Sequence, residues 1–165
     1  MIRLRRAEAA DIPTLQAWDR MPHVIAATGS HAESSDWAQE ITLDASSWEV
    51  LIAEHAGRPI GVLRVIDPEQ DETHYWGDCG PNLRAVDIWI GRTSDHGHGY
   101  GAEMMRLALA RCFANPAVTA VLIDPLTRNV RARKFYERLG FVEVGRRYFD
   151  DDDCVVYRFD RKVGP

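Results

Sequence analysis

Apolar and polar positions along the chain divide it into strand-like and helix-like segments. Short runs that are alternating or continuously apolar occur at seven places, and runs with helical spacing occur between several of them. The clearest helical stripe is formed by Met105, Ala108, Leu109 and Cys112 at positions i, i+3, i+4 and i+7, with Phe113 beside them. We expect this stripe to pack on a β-sheet.

The first half of the chain predicts short helices between an edge strand and a hairpin. Pro13 suits a first helical turn, and Gly57-Arg58-Pro59 suits a tight connection between two β-rich runs. The predicted elements are a strand at 2–6, a helix from Asp11 to about Asp19, an irregular stretch at 21–33, a helix capped by Ser34, Ser35 and Asp36 that runs through Ile41, and strands at 48–56 and 60–67.

A long loop at residues 68–83 contains the aromatic pair Tyr75-Trp76 among acidic residues. Loops of this length inside a domain are usually functional or disordered. Exposed neighbouring aromatic side chains would be an apolar liability, which favours a role in binding for this pair.

The second half of the chain alternates strands and helices more regularly. Gly140 suits the left-handed residue that ends a helix. The predicted elements are a strand at 84–91, a helix that begins near Gly99 or Gly101 and stops at Asn115-Pro116, a strand at 118–123, a helix with Ala132, Phe135, Tyr136 and Leu139 on one face, and strands at 141–147 and 154–159. The order β-α-α-β-β-β-α-β-α-β-β predicts an α+β fold.

Length and composition predict a single domain over residues 1–165. Cysteines occur only at Cys79, Cys112 and Cys154, without paired ligand spacing, so neither a disulfide framework nor a metal site is expected. The net charge of −5 disfavours nucleic acid as a partner and favours a cationic one, although acidic runs also occur as solvated loops. The basic N-terminus lacks an apolar targeting segment, and no apolar run reaches membrane-spanning length, so a cytoplasmic protein is expected.

A glycine-rich bend at residues 96–101, HGHGYG, directly precedes the third predicted helix. Such a bend can direct several backbone N–H groups and the positive end of the helix dipole at a phosphate. A flexible loop is the alternative. His96 and His98 could also hold a metal, but the sequence offers no third ligand nearby.

The bend is followed by a second motif, which consists of Asn129, Ala132, Tyr136, Gly140 and Phe141. With the element order, the two motifs resemble the GCN5-related N-acetyltransferase (GNAT) superfamily, which transfers an acetyl group from acetyl-CoA to an amine. The resemblance implies a three-layer fold with a central, mixed, mostly antiparallel seven-stranded sheet. Its fourth and fifth strands would be splayed, and about four helices would flank it.

Within that superfamily the chain is most similar to the aminoglycoside 6'-N-acetyltransferases. The similarity rests on Val86-Asp87-Ile88, the run at 112–119, Ile123-Asp124-Pro125, Tyr75-Trp76, and an aspartate, Asp152 or Asp153, before Val155-Val156-Tyr157. It implies a small cationic acceptor amine and antibiotic resistance. One departure is residues 24–29, VIAATG, where these enzymes tend to carry tryptophan, so that the acceptor side of the cleft is expected to be more open.

The resemblance also implies a role for individual residues. Asp87 alternates onto the strand face of Ala85 and Trp89, where an unpaired carboxylate is costly, so it either faces the acceptor as a base or forms a structural salt bridge. Tyr136 would protonate the departing thiolate or pack in the core, and Asn129 would bind pantetheine or cap its helix. Acetyl-CoA would contact Asp87, Ile88, Trp89, Ile90, His96, Gly97, His98, Gly99, Tyr100, Gly101, Ala102, Asn129 and Tyr136. The acceptor would contact Tyr75, Trp76, Asp87, Asp124, Asp152 and Asp153.

Two other functions are compatible with these residues. Acyltransferases that modify siderophore precursors share much of the pattern, and a non-catalytic CoA-binding module could retain the fold. A homodimer is common for small domains of this architecture, and the sequence does not decide it.

Overall fold

The protein is described by a computed structural model for residues 1–29 and 35–162. Seven strands form one sheet in the order β1-β2-β3-β4-β5-β7-β6. Their bounds are β1 Ile2–Arg6, β2 Trp48–His55, β3 Arg58–Ile66, β4 Leu83–Ile90, β5 Ala120–Ile123, β6 Val142–Phe149 and β7 Asp152–Asp160.

Neighbouring strands are antiparallel everywhere except at β4 and β5, which run parallel. The predicted hairpin between β2 and β3 is present, and Ala56 and Gly57 both have positive φ at its turn. Such φ values match the twist of the two strands, which is why a glycine at the second position is favoured. The antiparallel majority and the single parallel pair agree with the predicted mixed sheet.

Five α-helices occur in the described residues: α1 Ile12–Asp19, α2 Pro22–Thr28, α3 Trp37–Glu40, α4 Tyr100–Phe113 and α5 Val130–Leu139. Asp36 caps α3 by accepting a hydrogen bond from the Gln39 N–H, as predicted, whereas Ser34 lies outside the described residues. Gly140, with φ of 99°, ends α5 as expected.

The irregular conformation predicted for residues 21–33 is wrong over α2. Pro22 occupies the first helical turn, where its fixed φ is favourable and its missing N–H costs nothing. Val24 is 1% exposed, so one apolar residue anchors the helix, and Gly29 ends it with φ of 61°. A stripe of one buried residue in seven is too weak to be recognised as amphipathic.

The helices cover the two faces of the sheet. Helices α1, α2 and α3 pack on what we call the front face, against side chains such as Ile52 and Val62. Helices α4 and α5 pack on the back face, against alternate residues of the same strands, such as Leu51 and Leu63. The result is the predicted three-layer architecture, in which every residue of a central strand belongs to one face or the other.

Candidate active site

Strands β4 and β5 separate soon after they begin. They pair only at Leu83–Ala120, Arg84–Val121 and Ala85–Leu122. The Gly91 N–H donates to the Ile60 carbonyl of β3, and the β3–β4 register is regular. Because backbone groups of successive residues point to opposite edges of a strand, the N–H and C=O of Ile88 face the gap between β4 and β5.

This orientation refines the pairing expected along β4. The backbone groups of Asp87 and Trp89 point towards β3, so these two residues reach the gap only through their side chains. The Ile90 carbonyl faces the gap but already accepts a hydrogen bond from His23 Nε2 at 2.8 Å. Ile88 is therefore the residue of β4 that offers both backbone groups to an extended ligand.

The predicted bend lies immediately before α4 on the back face. Gly97 and Gly99 have φ values of 78° and 77°, and a Cβ built on either would meet no atom within 4 Å. The positive φ thus explains why glycine occupies both positions. Gly101 is different, because it lies inside the first turn of α4, where a Cβ would contact Phe135 at 3.4 Å.

The bend brings several N–H groups to the N-terminus of a 14-residue helix, with Gly99 as its N-cap. The first N–H groups of a helix have no intrahelical acceptor, and the helix dipole adds partial positive charge there. The residues predicted to bind phosphate all belong to this bend or to the first turn of α4; they are His96, Gly97, His98, Gly99, Tyr100, Gly101 and Ala102.

His96 packs edge-on against His23 of α2, with ring centroids 4.9 Å apart. A carbonyl can only accept, so the hydrogen bond to Ile90 requires that His23 carries its proton on Nε2. Burial lowers the pKa of His96, and the neighbouring His23 and Arg131 add to this effect. The ring at the start of the bend therefore favours its neutral form.

On the back face, α5 provides the two residues of the second motif. The Asn129 side chain accepts a hydrogen bond from the Ala132 N–H at 3.1 Å and so caps α5. Of the two roles considered for Asn129, the structure shows the cap, while the residue also lines the central cavity.

Tyr136 is 9% exposed and packs against Phe135 and Phe141. Burial raises the pKa of its phenol above the usual range, and the charges of Asp87 and Asp124 contribute. Its hydroxyl makes no hydrogen bond to any residue that the structure describes. Tyr136 thus combines a packed ring with a protonated hydroxyl that no described residue engages.

Asp87 and Tyr136 approach the gap from opposite faces of the sheet. Asp87 shares the front face with Ala85 and Trp89, whereas Tyr136 packs with Val86 on the back face. Both line one cavity of about 840 Å³. The gap therefore connects the cofactor motifs behind the sheet with the acidic residues in front of it.

Asp124 follows β5 on the front face of the same cavity. The Tyr75 hydroxyl donates to Asp124 Oδ2 at 2.5 Å. Burial raises the pKa of the Asp124 carboxyl, the charge of Asp87 adds to this, and the hydrogen bond from Tyr75 opposes it. Asp124 thus holds its proton to higher pH than an ordinary aspartate.

The two aspartates at the start of β7 diverge. Asp152 is buried on the front face and lines the cavity, where a Cβ on Gly29 would come within 2.6 Å of its Oδ1. Asp153 instead accepts hydrogen bonds from Thr127 at 3.0 Å and Arg146 at 2.8 Å. The expectation that Asp153 also faces the acceptor therefore needs correction, because adjacent strand residues point to opposite faces.

The aromatic pair in the long loop is packed, not exposed. Tyr75 stacks on Phe149 with centroids 4.3 Å apart, and Trp76 is 5% exposed with its edge against the same ring. The Trp76 carbonyl accepts a hydrogen bond from Arg147. Both rings line the cavity, and their predicted role in binding stays a prediction.

Arg64 is among the cavity residues that the sequence did not predict. Arg64 of β3 is 12% exposed and lies 3.7 Å from Asp87, measured from Nη1 to Oδ2. It also forms a two-point ion pair with Glu40. Strict alternation along β3 would have revealed it, because Arg64 shares a face with Val62 and Ile66 and interrupts an otherwise apolar row.

Comparison with known proteins identifies the family. Residues 7–149 match the sequence profile of the acetyltransferase (GNAT) domain. The chain belongs to the GNAT acetyltransferase family. This GNAT domain covers all the strands and helices except β1 and β7.

Individual relatives include an aminoglycoside acetyltransferase and a kanamycin resistance protein. The GNAT chain is 26% identical over 161 residues to the aminoglycoside N(6')-acetyltransferase type 1 of Klebsiella pneumoniae, covering 93% of this chain and 80% of that protein. It is 34% identical over 78 residues to the kanamycin resistance protein of Rhizobium radiobacter, covering 47% and 72% of the two chains.

A solved structure of the aminoglycoside acetyltransferase AAC(6')-Ib in complex with coenzyme A and kanamycin has a similar fold. Its TM-score is 0.85 at 25% identity, over 98% of this chain and 95% of that one. These matches confirm the predicted family, fold class, acyltransferase class and similarity to aminoglycoside 6'-N-acetyltransferases. The roles of individual site residues stay predictions.

Within the described residues, no helix combines the length and the apolar character needed to cross a membrane.

Proposed function

We propose that this GNAT protein transfers the acetyl group of acetyl-CoA to a primary amine of a small cationic acceptor of the aminoglycoside class. The observation that carries the proposal is the gap between β4 and β5. The bend predicted to bind phosphate and Tyr136 lie behind it, and three aspartates, Asp87, Asp124 and Asp152, lie in front. A thioester that enters from the back would meet an amine held at the front.

Backbone groups supply the cofactor contacts. The N–H groups of the bend bind the diphosphate of CoA at the N-terminus of α4. The N–H and C=O of Ile88 pair with the amides of the pantetheine arm, which extends through the gap as an additional strand. The contact between Ile88 and the pantetheine arm needs no charged side chain. Backbone N–H and C=O groups left unpaired inside a sheet already require hydrogen-bond partners.

The acidic front of the cavity binds the acceptor. An aliphatic amine is protonated at neutral pH, since its pKa is about 10. Carboxylates attract the ammonium group, and the net charge of −5 adds a favourable long-range field. An aminoglycoside, with several ammonium groups on adjoining rings, matches a cavity lined by several acidic side chains better than a monoamine does.

Proton transfers complete the reaction. Asp87 accepts a proton from the acceptor ammonium, and the neutral amine attacks the thioester carbonyl carbon. The C–S bond then breaks, and Tyr136 protonates the departing thiolate. The nitrogen loses its second proton as the amide forms, and that proton restores the Tyr136 hydroxyl. One acetyl group is transferred, and one proton is released overall through Asp87.

Similarity supports the choice of acceptor class. The relatives named above are an aminoglycoside acetyltransferase and a kanamycin resistance protein, and one similar structure contains both coenzyme A and kanamycin. Tyr75, Trp76 and Phe149 line the same cavity and would supply aromatic edges where residues 24–29 lack the tryptophan of those enzymes.

Thiol release from acetyl-CoA tests the proposal directly. The purified protein is offered aminoglycosides, polyamines, amino acids, N-terminal peptides and hydroxylamines, and free CoA is measured with a thiol reagent. We expect turnover with aminoglycosides and N-acetylated products by mass spectrometry. Turnover confined to hydroxylamines, or to longer acyl-CoA donors, would replace the proposed acceptor or donor. Calorimetric binding of CoA without turnover on any acceptor would instead indicate a binding module.

A further inference from the structure

Arg64 and Asp87 face each other across two neighbouring strands. They are a register pair of β3 and β4, so both side chains project from the front face at the same level of the sheet. Arg64 therefore introduces a positive charge into a cavity otherwise suited to cations.

The guanidinium is held on several sides. Its Nε and Nη2 donate to the Glu40 carboxylate at 2.7 and 2.9 Å, and Nη2 also donates to the Ser35 hydroxyl. Its central carbon lies 4.5 Å from the ring centroid of Trp37 and 5.2 Å from that of Trp89. Indole faces attract cations, and a planar guanidinium fits between them better than an ammonium does.

These contacts engage one edge of the guanidinium and leave the other directed at Asp87. Nη1 lies 3.7 Å from Asp87 Oδ2 and makes no hydrogen bond to another described residue. An ionised carboxylate at this distance gains Coulomb energy that a protonated one does not. Arg64 is thus placed to favour one charge state of its neighbour.

The cavity needs such a distinction because three of the acidic side chains that line it, Asp87, Asp124 and Asp152, lie around the gap. Like charges in one site raise one another's pKa, so the protons of the set must be distributed unequally. Asp124 is buried and receives a hydrogen bond from Tyr75, whereas Asp87 has the cation beside it and a side chain that is 40% exposed. Among the described residues, the charged and titratable groups near Asp87 include Arg64 of β3, Asp124 after β5, Tyr136 of α5 and Tyr75 of the loop. Asp152 of β7 acts on Asp124, and Glu40 of α3 and Asp19 of α1 lie near Arg64.

We propose that Arg64 is a positioning residue that keeps the negative charge on Asp87 and so selects the base among the three carboxylates. The inference rests on the proposed function, in which Asp87 accepts the proton of the acceptor. Protons that the cavity retains then reside on Asp124, away from the attacking amine. Arg64 itself does not touch the reacting atoms.

The kinetic test is the pH profile of kcat/KM for the wild type, Arg64→Gln and Arg64→Lys. Loss of the positive charge raises the pKa of Asp87, so the acid limb of the Arg64→Gln profile moves to higher pH, by about one unit. Arg64→Lys retains the charge and moves the limb less. Glu40→Gln breaks the ion pair between Arg64 and Glu40 but keeps the positive charge beside Asp87, so the acid limb of its profile does not move to higher pH.

A readout independent of activity separates this inference from the proposed function. The carboxyl carbons of the aspartates are labelled with ¹³C and titrated by NMR, and Asp87→Asn identifies the Asp87 signal. The midpoint for Asp87 is expected to be higher in Arg64→Gln than in the wild type. This experiment gives a result even if no acceptor is turned over.

Three outcomes would overturn the inference. The first is an Asp87 midpoint that is the same in Arg64→Gln and the wild type, in protein whose thermal melting remains cooperative. The second is an equal shift in Arg64→Gln and Arg64→Lys, which would mean that geometry matters and charge does not. The third is a shift to higher pH in Glu40→Gln, which would assign the effect to disruption of α3. If Arg64→Gln does not fold, Arg64→Lys and Glu40→Gln still decide between charge and contact.

Discussion

The Tyr75 hydroxyl donates a hydrogen bond to Asp124 Oδ2 and thereby ties the loop between β3 and β4 to the end of β5. The same tyrosine ring stacks on Phe149 of β6, so the hydroxyl and the ring of one side chain both hold the loop in place. The pair closes one side of the acidic cavity. It also tunes the carboxyl group that the proposed acceptor meets there.

Acceptor binding is expected to strengthen as the pH rises through the raised pKa of Asp124. The ionised carboxylate attracts a cation and the protonated form does not, so affinity follows the ionised fraction. Tyr75→Phe removes a hydrogen bond that lowers this pKa, and the transition therefore moves to higher pH. Calorimetric titration of an aminoglycoside between pH 6 and 9 measures the pH at which the affinity changes. Asp124→Asn serves as the control, and persistence of the Asp124 transition in that variant would contradict the assignment.

The same carboxyl should reduce the stability of the fold at high pH. Its folded-state pKa is raised above the unfolded value, so its ionisation lowers the free energy of unfolding as the pH rises from about 4 through the folded pKa. Asp124→Asn should therefore be stabilised relative to the wild type at pH 8 more than at pH 4, by about 1.4 kcal/mol for each unit by which folding raises the pKa. Urea denaturation at the two pH values measures the difference. Equal destabilisation at both would show that the side chain has a purely structural role.

Asp87→Asn is expected to lower kcat/KM by about 100-fold or more, because a positioned general base contributes that much. CoA affinity should be unchanged, since the contact with the cofactor is at the back of the gap. Asp153→Asn is the matched control: it removes a carboxylate that pairs with Arg146 outside the cavity. Steady-state kinetics with a fixed acceptor compares them, and similar losses in both variants would reject Asp87 as the base.

Tyr136→Phe should lower kcat by about 100-fold with little change in melting temperature. Its hydroxyl has no hydrogen-bond partner among the described residues, so folding loses nothing when it is removed. Tyr157→Phe is the opposite case. That hydroxyl is buried, donates to Glu137 and accepts from Arg133, so its loss should cost about 1 kcal/mol of stability and little activity. An active Tyr136→Phe variant would require another acid.

Gly99→Ala should weaken CoA binding, whereas Gly57→Ala should not. The two glycines have φ values of 77° and 75°, and a Cβ added to either would meet no atom within 4 Å, so the backbone strain is alike. Both variants should lose about 1 kcal/mol of stability. Only Gly99 lies at the N-terminus of α4, so only its variant should show a larger dissociation constant by calorimetry. Equal CoA affinity in both would place the diphosphate elsewhere.

Local signals account for the parts of the fold that the sequence predicted correctly. Gly140 suits the left-handed conformation that ends α5, and Asp36 can accept a hydrogen bond from an N–H group in the first turn of α3. The stripe from Met105 to Cys112 has the spacing of a helix, which is α4. The bend at 96–101 was recognisable because glycines directly preceded that stripe. Each of these features depends on residues within a few positions of one another.

Distant contacts account for what was missed. Helix α2 is held by the burial of Val24 in a core formed by other segments, and the packing of Tyr75 depends on Phe149, far along the chain. No local pattern contains such information. The opposite orientations of Asp152 and Asp153 were within reach, because Asp152 shares the strand face of the buried Cys154.

The early separation of β4 and β5 leaves the folded chain with a cleft that only an extended molecule can complete. Such a molecule binds the folded state and not the unfolded chain, so by mass action it adds about 2.7 kcal/mol of stability at 100 times its dissociation constant. Proteases act on opened chains, and their access would fall by the same factor. We therefore expect the lifetime of this protein in a cell to follow the metabolic supply of whatever fills the cleft.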